Sequence, residues 1–351
     1  MLYKPILYVV GGGIAGLSTA FAWQQLGGQS IVLESKICGS GATGAAAGML
    51  APTLEADPAE PWLNENGPKA LETHLRWANL LGATRLARQG MLEVAVLPEE
   101  LPLLRRQYDW LTGQGRPVEW LQGKALQAKE ALLSPHLTAG IWAPEDCQID
   151  NRMLVSSLRR AILQNGGQVI EKLGQLSGWQ SDGRGVHLSY AQHQFQADRV
   201  VFATGVQVVW NQPLKVRAVK GQMLSLFAGK TGAPGLPVRI RSRALGNGYL
   251  VPKQDRLIVG STSEEQANDA NLTAGGMLDL LRRAYAAVPL VYEMPILETW
   301  VGHRPATASN LPECVKPNDS PIWFLNGLYR HGILLGPLMG ERTAAAIWQT
   351  L

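Results

Sequence analysis

Pro5-Ile6-Leu7-Tyr8-Val9-Val10-Gly11-Gly12-Gly13-Ile14-Ala15-Gly16, running on through Leu17–Leu26 to Gly27-Gly28, is the stretch that decides the fold. Its apolar run Ile6–Val10 reads as a buried strand, the glycines as a tight turn, and Leu17–Leu26 as a helix stopped by the glycine pair. A second apolar run, Ser30-Ile31-Val32-Leu33, ends on Glu34. Strand, helix and strand in so short a span imply a right-handed crossover and a parallel sheet. Gly11 permits the turn, Gly13 lets backbone approach a pyrophosphate, and Gly16 lets helix and strand pack closely. The helix start at Ile14 and Ala15 then offers unpaired N–H groups and a positive dipole end to phosphates. Glu34, with Ser35 after it, is placed to accept hydrogen bonds from a ribose. The glycine spacing alone is a weak signal, but in this context it reads as a dinucleotide site.

Bulk properties narrow the class. At 351 residues the chain is long enough for about two domains, and 46% hydrophobic against 17% charged residues is the balance of a globular protein with a core. The net charge of +4 is spread out, its densest points being pairs such as Arg105-Arg106, Arg159-Arg160 and Arg282-Arg283. Nucleic-acid surfaces need denser clustering, so no nucleic-acid partner is expected. Cys38, Cys147 and Cys314 are odd in number and far apart, and no CxxC or Cys/His spacing accompanies them. Neither a disulfide framework nor a metal site is indicated. The N-terminus enters a strand at once, and no apolar run approaches the ~20 residues that span a bilayer. These features predict a cytoplasmic protein without a membrane span.

Along the chain, Ser40–Met49 is almost all Gly and Ala around Thr43, and so can lie close against a ligand. Helical patterning appears near Ala70–Gln89 and over Leu101–Gly113. Asp150 caps a predicted helix to about Asn165, before the strand Gln168–Glu171. The strand Arg199–Phe202 ends in Ala203-Thr204-Gly205. Between about Val216 and Trp300 short alternating strands predominate, among them Gln222–Phe227, Gly248–Val251 and Arg256–Val259. A closing helix is expected over Gly332–Leu351. The fold class is therefore α/β: a Rossmann-type domain interleaved with a mostly antiparallel α+β substrate domain. The first is assigned residues 1–85, 145–215 and 300–351, and the second 86–144 and 216–299.

Further motifs carry a family resemblance. They are Val10–Gly16, Gly44–Pro52 (GAAAGMLAP), Val219–Met223 (VKGQM), Tyr249–Pro252 (YLVP), Thr299–Pro305 (TWVGHRP) and Tyr329–Leu335 (YRHGILL). In this order, over nearly the whole chain, they resemble the D-amino-acid oxidase family of FAD enzymes, and within it the glycine oxidases of thiamine biosynthesis. The Gly/Ala loop and the C-terminal run are specific to this group. The resemblance implies FAD as cofactor, held by Gly11, Gly13, Ile14, Ala15, Gly16, Glu34, Ser35, Ala42, Thr43, Ala47, Gly48, Met49, Thr204 and Gly205. It adds Leu328, Tyr329, Arg330, His331, Gly332, Ile333 and Leu334 from the C-terminal run. It also implies that Arg304 binds the substrate carboxylate, that the Tyr249 hydroxyl assists there, and that Arg330 contacts substrate.

Chemistry agrees with these assignments. Arginine presents a planar fork to both carboxylate oxygens and keeps its charge. If the amine is neutral, the α-hydrogen leaves as hydride directly to flavin N5, so no side-chain base is needed. A helix starting near Gly332 would turn its positive end to the flavin pyrimidine, with Gly332, Gly336 and Gly340 allowing close approach. The chain departs from the family pattern at Cys314-Val315, Leu328 and His303, which bears on substrate more than on fold. The expected function is oxidation of glycine or another small amino acid or amine, with O2 as electron acceptor and H2O2 as product. Two alternatives stay open: a dehydrogenase passing electrons to a quinone or partner, and a flavin module acting on a macromolecule such as tRNA. A homo-oligomer is also left open.

Overall fold

The computed structural model describes residues 4–351 apart from 83, 183–184, 208, 210, 230–231, 266–268 and 318–319. Strand Ile6–Val10, helix Ile14–Gln25 and strand Gln29–Leu33 follow one another at the start of the chain. Ile6–Val10 sits inside a six-stranded sheet, parallel to Gln29–Leu33 on one side and to Val200–Phe202 on the other. Gln168–Ile170 closes one edge. Ile322–Asn326 and the antiparallel Glu313–Val315 close the other. Strand order thus reverses at Ile6–Val10, and α/β sheets open a crevice at the carboxyl ends of strands at such a point.

Three helices cover this sheet: Ile14–Gln25 is buried on almost every side, while Asn151–Gln164 turns one apolar stripe inward. Leu17, Phe21 and Trp23 of Ile14–Gln25, Leu154, Leu158 and Ile162 of Asn151–Gln164, and Leu335 and Ile347 of Gly332–Trp348 share one buried cluster. Each such side chain contributes about 2 kcal/mol on burial. Asp150 caps its helix, accepting from the Met153 N–H at 3.0 Å. Gly336 and Gly340 serve this packing and not a ligand. A Cβ at Gly336 would stand 2.5 Å from Ile14, and one at Gly340 would stand 2.6 Å from Ser18. Only Gly332, at the helix start, reaches the cavity described below.

A nine-stranded sheet forms the second layer. The strands Met91–Ala95, Glu119–Gln122 and Ala139–Ala143 join it to those between Arg217 and Ala306, with one parallel pair and the rest antiparallel. Its longest member, Arg217–Phe227, is paired along its length with Ile296–Ala306. The boundary drawn at residue 300 therefore falls inside a strand, and Trp300–Ala306 belong by pairing to the nine-stranded sheet. A three-stranded antiparallel sheet, Leu176–Asp182, Gly185–Tyr190 and Gln194–Ala197, was not foreseen. The helix expected near Ala70–Gln89 runs instead over Pro61–Leu81. Proline opens it and Gly82, at φ +71°, ends it.

That helix carries a buried histidine. His74 Nε2 lies 2.8 Å from the Ile333 carbonyl oxygen, tying the helix to the start of Gly332–Trp348. Burial pushes its pKa down to about 4, below the ordinary imidazole value. A base depressed in the folded state contributes stability that is present above about pH 6.5 and lost as pH falls toward about 4, amounting to about 3 kcal/mol. Urea unfolding of the wild type and of His74→Gln tests this. The variant should be the less stable near pH 7.5, and the gap should shrink near pH 4.5.

Candidate active site

A cavity of about 1500 Å3 is lined by residues from the carboxyl ends of the parallel strands and from the nine-stranded sheet. At the parallel-sheet end the chain turns at Gly11 with φ +115°, and a Cβ there would meet the Ala203 carbonyl oxygen at 2.3 Å. Only glycine fits. The first helix begins immediately after Gly13. Glu34 Oε2 accepts from the Gly12 N–H at 2.7 Å, while its Oε1 accepts from the Lys36 N–H at 2.8 Å and the Ser35 hydroxyl at 3.0 Å. Thr43 Oγ1 accepts from the Ile14 N–H at 3.0 Å, so the Gly/Ala stretch is tied to the helix N-terminus. That stretch forms the short helix Ala42–Ala45 and then lines the cavity through Met49. Asn151 Nδ2, donating to the Thr43 and Gly44 carbonyls at 2.7 and 3.1 Å, holds it from behind.

The other end is built by one row across the nine-stranded sheet. Register places Met223 beside Trp300, Gly260 beside Tyr249, Tyr249 beside Arg239, and Arg239 beside Glu93. Gly260 gives the Tyr249 ring its space, since a Cβ there would stand 2.4–2.5 Å from the ring. Further along, Gly221 leaves room for the Arg304 guanidinium, which a Cβ would approach to 2.6 Å. Arg304 donates to the Ser261 hydroxyl at 2.5 Å, the Thr262 carbonyl at 3.2 Å and the Lys220 carbonyl at 3.4 Å. The Tyr249 hydroxyl lies beside the same arginine and serine. Burial raises its pKa despite them, so the phenol keeps its proton.

Charge distribution separates the arginines of the wall. Arg152, Arg239, Arg283, Arg304 and Arg330 all line the cavity. Arg152 pairs with Glu298 at 2.8 Å, Arg239 with Glu55 at 2.7 Å, and Arg283 with Asp279 at 4.0 Å. Arg330 Nη2 donates to both oxygens of Glu60, at 2.8 and 2.9 Å. Arg304 has only neutral partners, and among the described residues no carboxylate pairs with it. Of these five arginines it is the one with capacity to spare.

Residues 7–346 match the family described as FAD dependent oxidoreductase. The chain belongs to this family. A glycine oxidase of Geobacillus kaustophilus is 31% identical over 356 residues, covering 97% of this chain and 92% of that protein. A bifunctional protein ThiO/ThiG of Nostoc sp. is 30% identical, covering 97% of this chain but 52% of its own length. The crystal structure of glycine oxidase from Geobacillus kaustophilus superposes with a TM-score of 0.88 at 29% identity, covering 98% of this chain and 94% of that one. As a member of this family the chain is an FAD-dependent enzyme, an oxidoreductase similar to glycine oxidases.

The structure brings most of the residues singled out in the sequence to one cavity. Gly11, Gly13, Ile14, Ala15, Glu34, Ser35, Ala42, Thr43, Ala47, Gly48, Met49, Thr204 and Gly205 line it at the parallel-sheet end. Leu328, Tyr329, Arg330, Gly332 and Ile333 line it near the last helix, with Tyr249 and Arg304 from the second sheet. Three do not reach it. Gly16 packs on the Gly11 carbonyl, Leu334 lies in the core, and His331 is buried with Nδ1 3.3 Å from Glu55. Sequence reasoning missed Arg239 and Glu55. The alternation Val238-Arg239-Ile240-Arg241 hinted at a charged strand face, but nothing local marks Glu55.

Proposed function

We propose that this enzyme oxidises a small amino acid of the glycine or sarcosine type at its α-carbon, passing the electrons to O2 with formation of H2O2. The observation that carries this reading is Arg304, the one arginine of the cavity wall without a carboxylate partner among the described residues. It is suited to bind the substrate carboxylate through its fork, with the protonated Tyr249 hydroxyl as a second donor. Arg330, already held by Glu60, is proposed to touch substrate without anchoring it. The similarity to glycine oxidases supports the same substrate class. Supply of an imino acid for thiamine biosynthesis is the context proposed.

The residues at the parallel-sheet end fit FAD. The glycine turn, the helix start at Ile14 and the side-chain-poor stretch Ala42–Met49 leave backbone facing the cavity, and Glu34 offers its carboxylate to a ribose. FAD, when bound, supplies the two-electron acceptor that takes a hydride from the α-carbon. The protein's own part is positional. Arg304 and Tyr249 fix the carboxylate, the Trp300–Met223–Tyr249 row excludes water, and a substrate amine bound neutral needs no side-chain base.

Two measurements follow. Glu34→Ala should weaken FAD binding by about 1–3 kcal/mol, roughly 5- to 150-fold in Kd, since a charged acceptor is lost; fluorimetric titration of the apoprotein reads it. A peroxide assay with glycine, sarcosine and D-alanine tests the function. Peroxide from at least one supports it, and turnover only with an artificial acceptor would make the enzyme a dehydrogenase.

A further inference from the structure

Beyond the Tyr249 ring from Arg304, the cavity wall is charged, and among the described residues its other arginines are paired with carboxylates. Arg239 donates to Glu55 Oε1 at 2.7 Å, and Glu93 lies 3.6 Å from Arg239 Nε and 3.2 Å from Arg241. Glu93 is 2% exposed. Behind them Asp146, fully buried, accepts from the Thr53 and Leu54 N–H groups at 3.0 and 2.9 Å and so holds the turn that carries Glu55. Burial pushes the Asp146 pKa up to about 7, so the charge facing the cavity here comes from Glu55 and Arg239, with Glu93 behind them. Burial alone would raise Glu55, but Arg239 and His331 beside it bring it down to about 2, so it is ionised. Both Glu55 and Arg239 line the cavity, with side chains 15% and 18% exposed.

The Arg304 head contacts Ser261 and Thr262, just after the strand Arg256–Gly260, while Arg239 belongs to Val238–Arg241. One strand, Gly248–Pro252, lies between them. Two strand spacings, about 10 Å, therefore separate the backbone that holds the Arg304 head from the strand that carries Arg239. That is the scale of a small amino acid held between two walls.

We propose that Glu55 is a specificity-determining residue that quenches Arg239 and so restricts the site to amines bearing a single carboxylate, the one bound at Arg304. The proposal rests on the reading of Arg304 as the carboxylate anchor. A substrate with a second carboxylate brings it to this wall, where Arg239 is already engaged and Glu55 repels it. Like charges about 5 Å apart at an effective permittivity of about 20 are worth a factor on the order of a hundred in affinity. The pair is placed by tertiary structure, since Glu55 and Arg239 are 184 residues apart in the chain.

Sarcosine and iminodiacetate form a matched pair of probes, the second being the first with a carboxylate added to its N-methyl group. The holoenzyme should oxidise sarcosine with a kcat/KM about a hundredfold above that for iminodiacetate. Glu55→Gln, which removes the carboxylate bonded to Arg239 and leaves it Glu93 at 3.6 Å, should shift the ratio toward iminodiacetate by at least about tenfold, and adding Arg239→Gln should abolish the shift. Arg239→Gln alone takes away the arginine of Glu55, leaving it only His331 at 3.3 Å, and should move the ratio the other way. General damage to the site would not produce opposite shifts. Acetate and malonate binding, read from perturbation of the flavin spectrum, gives the same comparison without turnover. Equal use of both amines by the wild type, or an unmoved ratio and unmoved malonate affinity in Glu55→Gln, would overturn the proposal. If acetate binding is indifferent to Arg304→Ala, the failure lies instead in the assignment of the anchor.

Discussion

Replacing Arg304 by alanine is expected to lower kcat/KM for glycine or sarcosine by roughly 30- to 1000-fold, about 2–4 kcal/mol, the worth of a charge-assisted bidentate pair in a partly dry site. Arg304→Lys keeps the charge and loses the fork, so it should fall between alanine and the wild type. Flavin content and spectrum should stay near normal, because Arg304 is held by Ser261, Thr262 and Lys220 and not by any residue of the glycine turn. The control is a simple amine lacking a carboxylate, whose slow turnover should be indifferent to the substitution. If both variants oxidise amino acids at wild-type efficiency, the carboxylate is held elsewhere. Arg330 would then be the next candidate, at the expense of its pairing with Glu60.

Gly13→Val should give a folded protein that purifies without FAD and does not take it up. A Cβ at Gly13 meets only Thr43 Oγ1, at 3.3 Å, and otherwise points into the cavity. Valine adds two methyl groups where a pyrophosphate is proposed to lie. It also pushes on the threonine whose hydroxyl accepts from the Ile14 N–H. Gly13→Ala should be milder, since one methyl at that distance asks a neighbour to give by a few tenths of an ångström. Circular dichroism close to wild type, with no flavin absorption after incubation with excess FAD, is the expected record. A yellow Gly13→Val protein would mean that the dinucleotide does not approach this turn.

The opening strand–helix–strand unit was legible because every local signal between Ile6 and Glu34 agrees, whereas the strands Glu313–Val315 and Ile322–Asn326 of the same sheet were not read. Apolar runs, a glycine turn, a helix apolar nearly all round and an acid at the strand end all specify the same unit. The carboxylate anchor was legible only through the family resemblance. Nothing in Trp300–Pro305 says that Arg304 lacks an acidic partner, since its surroundings come from Gly221, Ser261 and Thr262 on other strands. The charged wall was not legible at all. Glu55 and Arg239 meet because a loop after the Gly/Ala stretch folds over the second sheet, and pairings across the fold leave no periodic trace. Gly336 and Gly340 misled for the same reason. Close approach was the correct physical reading, but the partners are Ile14 and Ser18 on the first helix. The boundary drawn at residue 300 falls inside the strand Ile296–Ala306, whose sequence has no composition break to mark where it pairs.

The most direct test mixes the oxidised wild-type holoenzyme with sarcosine in the absence of oxygen and follows the flavin absorption bands. Bleaching at saturating sarcosine, restored on admitting oxygen with one peroxide formed per flavin, and slowed in Arg304→Ala, is the predicted result. A spectrum unchanged by glycine, sarcosine and D-alanine alike would contradict an α-carbon oxidation anchored at Arg304.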